Sequence, residues 1–173
     1  TQMDTKGLLR GQMSDLHGYL ERAISDCPPE MLAVRLPGAT INSIGAIYAH
    51  TVFGEDGLLN HVGRGMAPVY YSEGWAQRIG LQMPTGGLEP EWEVYFDLPL
   101  FRQYAAAVYQ ATDDYLASAT DAELSRTVDP QIAPPMPMVN FVGNILLWHV
   151  ATHQGEISAL KGVQGINGLV LTS

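Results

Sequence analysis

The stretch from Asn140 to Gly162, NFVGNILLWHVATHQGEISALKG, sets the tightest limit on how this chain folds. Ile145, Leu146, Leu147, Trp148, Val150, Ile157 and Leu160 make it apolar on most sides of a helix, so it must pack among other helices. Its polar residues are gathered rather than scattered. His149 and His153 are separated by about 40° around a helix axis and about 6 Å along it, and Glu156 falls within about 20° of His149. A polar stripe on a helix that needs burial faces a bundle interior or a lined cleft. Neutral imidazole is a common metal ligand, and two at this spacing can reach one ion. The stripe is not the HExxH of metalloproteases, because Val150 follows His149. The paired Glu-x-x-His motifs of di-iron bundles are absent as well.

Three further stretches have helical spacing. Asp4 to Ser25 places Leu8, Leu9, Met13, Leu16, Leu20, Ala23 and Ile24 three and four residues apart, with His17 among them as a surface or helix-packing residue. Cys27-Pro28-Pro29 ends it, and Glu30 to Leu32 make one turn. A second helix runs from Asn42 to about His61, with Thr40, Asn42 or Ser43 as its cap and His50 on the face of Ile47, Phe53 and Gly54. Glu55 and Asp56 point elsewhere, as a solvated acidic face or as partners of a helix terminus. A third helix starts at Asp97-Leu98-Pro99 and reaches about Ala119.

The connections differ in kind. Gly63 to Pro90 has no long periodicity, so it reads as a crossover or a cover over a site. Within it, Ser72 to Ile79 is expected as a short helix capped by Ser72, and Tyr70, Tyr71 and Trp75 either pack onto the bundle or wall a substrate. Thr120 to Glu123 has the capping-box form. Arg126 to Met138 holds four prolines and is expected to be a loop or a short extended segment.

Residues 1–173 therefore read as one all-α domain, a four-helix bundle with a long crossover between helices two and three. A crossover of about 30 residues returns the chain to its starting end, making helices two and three parallel and helix four antiparallel to helix two. His50 and His153 then lie at one level, each about 12–14 Å from the same end, whereas His61 sits about 16 Å further along. Level selects His50 over His61 as partner of the helix-four pair, and leaves His17 open.

Charge excludes other classes. A net charge of −9, with Lys6 and Lys161 the only lysines, gives no basic face for nucleic acid or for an anionic membrane. No apolar run reaches the roughly 20 residues of a membrane span and no signal-peptide pattern is present, so a soluble, cytoplasmic protein is expected. The single Cys27 forms no internal disulfide and, lacking an activating neighbour, reads as a buried or bystander thiol.

Ser43-Ile44-Gly45-Ala46-Ile47-Tyr48-Ala49-His50, followed about a hundred residues later by His149-x-x-x-His153-Gln154-Gly155-Glu156-Ile157, resembles the DinB-like bundle superfamily over nearly the whole chain. That superfamily includes metal-dependent S-transferases using bacillithiol or mycothiol. The resemblance implies an up-down-down-up four-helix bundle, often a homodimer, with zinc, nickel or iron held by His50, His149 and His153. The commoner family ending, His-Arg-Gly-Gln, is here His153-Gln154-Gly155-Glu156, so the arginine has no counterpart. Glu156 is left as a fourth ligand, a base or an acceptor bonded to a ligand.

Three imidazoles leave coordination positions open, as catalytic sites do. The resulting expectation is a divalent-metal-dependent enzyme acting on a small molecule, by transfer of a low-molecular-weight thiol to an electrophile or by hydrolysis. Glu156 would accept the proton, and Arg64, Arg78, Arg102, Arg126 and Lys161 are the cations available to anchor an acidic thiol, each otherwise a surface charge. The rivals are a non-enzymatic metal-binding bundle linked to stress and a metal-free structural histidine cluster.

Overall fold

A computed structural model describes residues 4–88 and 92–168. Helix α1, Thr5–Ser25, begins at Asp4, whose carboxylate accepts the Gly7 amide. After one turn of α2, Pro29–Leu32, helix α3 spans Ile44–Asp56. Of the three possible caps it uses Ser43, whose hydroxyl accepts the Ala46 amide at 3.3 Å. It then widens without a break into a π-helical stretch, Gly57–Gly63.

The expected helix from Ser72 to Ile79 is instead two single turns, α4 at Val69–Ser72 and α5 at Trp75–Arg78. Gly74 separates them at φ 71°, a left-handed conformation that a continuing right-handed helix cannot contain. Helix α6, Leu98–Ser118, starts where Asp97 accepts the Leu100 amide at 2.9 Å and Pro99 occupies the first turn. Thr120 caps α7, Asp121–Ser125, through the Glu123 amide, but the Glu123 carboxylate turns away to Tyr115 and Arg126, leaving the capping box half made. The proline-rich segment is closed by a two-residue antiparallel clasp, β1 at Thr127–Val128 against β2 at Met136–Pro137.

Helix four is one rod in three parts: α8 at Met138–Phe141, a π-helical stretch at Val142–Leu147 and α9 at Trp148–Val163. The residues at both joins keep right-handed helical dihedrals. The rod begins two residues before the expected Asn140, because Pro137 supplies the extended residue that precedes it.

Two core clusters give the directions of the helices. One joins Leu20 and Ile24 of α1, Ile44 and Ile47 of α3, Phe101 and Tyr104 of α6, and Ile157 and Leu160 of α9. The other joins Leu9 and Met13, Leu59, Tyr115 and Leu116, and Phe141, Val142 and Leu146. The end of α1 therefore lies beside the starts of α3 and α6 and the end of α9, so the four long helices run up, down, down and up. Among the described residues, no helix is long and apolar enough to cross a membrane.

Candidate metal centre

The contact between α3 and α9 carries the site. His50 lies in the middle of α3, and His149 and His153 occupy successive turns of α9. Each of the three offers one ring nitrogen, and these atoms lie within 4.8 Å of one another. The rings meet edge to face in every pairing, with centroids 5.0, 4.8 and 4.6 Å apart. His61, exposed at the far end of the second helical rod, does not join them. All three histidines are half-buried, so the cluster borders solvent instead of closing inside the core.

The three histidines could hold a metal ion, and one pair is already at ligand spacing. Nε2 of His50 and Nε2 of His149 are 3.1 Å apart. Metal–nitrogen bonds of about 2.0–2.1 Å, set between a right angle and the tetrahedral angle, separate two donors by about 2.8–3.4 Å. Burial pushes the His149 imidazole down to about 3, with His153 and His50 adding to the effect. Burial, then the neighbouring His153, pushes His50 down to about 4. Both rings are therefore neutral at pH 7, each keeping one ring nitrogen with a lone pair.

A glycine makes room for this arrangement. A Cβ added to Gly54 would lie 2.5 Å from Cε1 of His149 and 3.0 Å from its Nε2. The His149 ring thus lies against bare α3 backbone one turn from His50. Its Nδ1 is buried and, among the described residues, has no hydrogen-bond partner. On the other side of the cluster, Nδ1 of His153 is 2.6 Å from Oε2 of Glu156.

A sequence profile of the DinB superfamily matches residues 12–157, a span that contains all three histidines and Glu156. The chain belongs to the DinB superfamily. Among solved structures, a protein of Enterococcus faecalis superposes with a TM-score of 0.69 at 16% identity, covering 92% of this chain and 96% of that one. A DinB-like protein of Bacillus cereus gives a TM-score of 0.56 at 18% identity, with 96% of each chain covered. At these identities the superpositions speak for the fold. No curated protein matches.

Several charged residues of this DinB-superfamily chain differ from expectation. Glu55 and Asp56 are buried, at 1% and 0% exposure, not solvated. Glu55 accepts from His17 Nε2 at 2.8 Å and from the Thr112 hydroxyl at 2.5 Å, and the His17 ring stacks on Tyr109. Asp56 does partner a helix terminus, accepting the Val69 and Tyr70 amides at the start of α4, and also bonds Asn60 and the Tyr104 hydroxyl. Tyr70 and Trp75 pack into the core beside Tyr104, whereas Tyr71 is exposed.

The five cations considered as anchors all have partners within the chain. Arg64 lies over Tyr115, Arg78 over Trp75, Arg102 bonds Glu21 and Arg126 bonds Glu123. Lys161, expected at the surface, is 1% exposed and donates to Asp26 at 2.5 Å. Cys27 is buried and its thiol donates to the Ala23 carbonyl at 3.4 Å, with burial pushing its pKa up. Burial outweighs the nearby Lys161 charge, which alone would favour the thiolate.

Proposed function

We propose that this DinB-superfamily protein is a divalent-metal-dependent enzyme that transfers a low-molecular-weight thiol to a small electrophile. The observation that carries the reading is the convergence of His50, His149 and His153 nitrogens within 4.8 Å across two helices. Zinc, nickel or iron suits an all-imidazole donor set. Three neutral donors leave the charge of a divalent ion uncompensated, so the ion, when bound, favours the anionic form of a thiol or of water beside it.

The chain's own contribution is position and access. α3 and α9 are packed elements, so the histidines are held by helices and not by loops. His50 and His149 stay unprotonated at neutral pH because burial disfavours their charged forms. All three residues keep partial exposure to solvent, which supports access of a small molecule to the cluster. The negative charge of the chain disfavours nucleic acid as substrate, in keeping with a small-molecule reaction.

The test uses protein purified without a histidine tag. Elemental analysis should find one zinc, nickel or iron per chain, lost in His50→Ala and His149→Ala. The loaded protein should consume a low-molecular-weight thiol in the presence of an epoxide or haloalkane. Absence of a stoichiometric ion would overturn the metal assignment. A stoichiometric ion without thiol consumption across such electrophiles would overturn the catalytic one.

A further inference from the structure

We propose that Glu156 is a positioning residue that presents His153 to the metal, an inference that rests on the metal assignment above. Oε2 of Glu156 lies 2.6 Å from Nδ1 of His153. A carboxylate oxygen in such a bond accepts, so the shared proton sits on Nδ1. Nε2 is then the ring nitrogen of His153 left with a free lone pair, and the ring cannot flip without breaking the bond. Both residues stand on α9, three positions apart, so a single helical turn fixes their spacing.

The two histidines of α9 are thus oriented by different devices. His149 is set by shape: its ring is confined against the backbone at Gly54, and its Nδ1 has no partner among the described residues. His153 has a carboxylate in that position. An acceptor on the far nitrogen fixes the tautomer and raises the donor strength of the near one, and losing such a partner costs about 10–100-fold in metal affinity. A role for Oε2 as a general base would require it to leave His153, so the geometry favours orientation over proton transfer.

The Glu156 side chain is 36% exposed, and pairs this open to water add little to folding stability. Its removal should therefore show in metal binding and in the state of the His153 ring rather than in the melting temperature. The experiment compares Glu156→Ala and Glu156→Gln with the parent protein, all without a tag. Nitrogen-15 NMR of the metal-free proteins reads the His153 tautomer, and chelator competition reads zinc affinity. The parent should carry the proton on Nδ1. Glu156→Ala should lose that preference and bind zinc about 10–100-fold more weakly, and Glu156→Gln, whose amide oxygen can still accept, should recover most of both. Zinc affinity within about twofold of the parent in Glu156→Ala, or an unchanged tautomer, would overturn the proposal while leaving the metal site standing. A parent protein that binds no zinc would overturn the metal assignment itself, and this inference with it.

Discussion

Gly54 and His149 touch so closely that no other side chain fits between them: a Cβ on Gly54 would stand 2.5 Å from the His149 ring. The two residues belong to α3 and α9, so the absence of a side chain at 54 sets how near the ring can come to His50. Gly54→Ala should therefore separate stability from binding. Alanine favours a helix interior by up to about 1 kcal/mol over glycine, while overpacking costs about 1–3 kcal/mol. The melting temperature should shift by only a few degrees, whereas zinc affinity should fall at least about tenfold as His149 is displaced. Calorimetry and chelator competition on the same preparation check both halves, and unchanged zinc affinity would show that the ring can shift without harm.

Removing the ion should lower stability, since a ligand that binds the folded chain alone stabilises it by about 2.7 kcal/mol at a hundredfold excess over its Kd. For a chain of this size that is roughly 5–11 °C. Thermal melts before and after dialysis against chelator should show a drop of this order, restored by adding zinc back. His50→Ala, His149→Ala and His153→Ala should each lack the zinc-dependent part. A triple variant that still gains stability from zinc would place the ion elsewhere.

The metal-free protein should also be sensitive to acid. His149 and His50 titrate near 3 and 4 in the folded chain and near 6.5 when unfolded. Between those values the unfolded chain binds more protons, so stability is fully present above about pH 6.5 and is lost as pH falls towards the folded values. The loss is at most about 1.4 kcal/mol per pH unit for each ring. Melting temperatures from pH 7.5 to 4.5 should fall less steeply in His149→Gln than in the parent. Equal slopes would show that the His149 ring is not held neutral.

The stripe of His149, His153 and Glu156 was legible because a regular helix converts spacing into direction, and α9 is regular over those residues. His50 was legible because helix lengths place it at the same level. The polar core was not. Glu55, Asp56 and Lys161 look like ordinary surface charges in local sequence, and their burial depends on partners at Thr112, Tyr104 and Asp26, on other helices or at their ends. The break at Gly74 also escaped, because a helix-compatible stretch does not announce which glycine will adopt a positive φ. The π-helical stretches at Gly57–Gly63 and Val142–Leu147 likewise carry no signature in the local sequence.

Asp56 offers the sharpest test of that hidden core. Its two oxygens accept from Asn60, Val69, Tyr70 and Tyr104, all at 2.8 to 2.9 Å, and so tie the crossover and α6 to the second helix. Asp56→Ala leaves two backbone amides and a phenol without their acceptor in a buried site, and each such group costs about 1–3 kcal/mol. Asp56→Asn keeps one acceptor oxygen but turns an NH2 group towards donors, so it should restore less than half of the loss. Asp56 faces the crossover and Tyr104 rather than the histidines, so any Asp56→Ala protein that remains folded at low temperature should still bind one zinc. Denaturant unfolding should show a loss above about 3 kcal/mol for Asp56→Ala. A loss below about 1 kcal/mol would mean that water replaces the carboxylate, and that the crossover is held by Tyr70 and Trp75 packing against Tyr104.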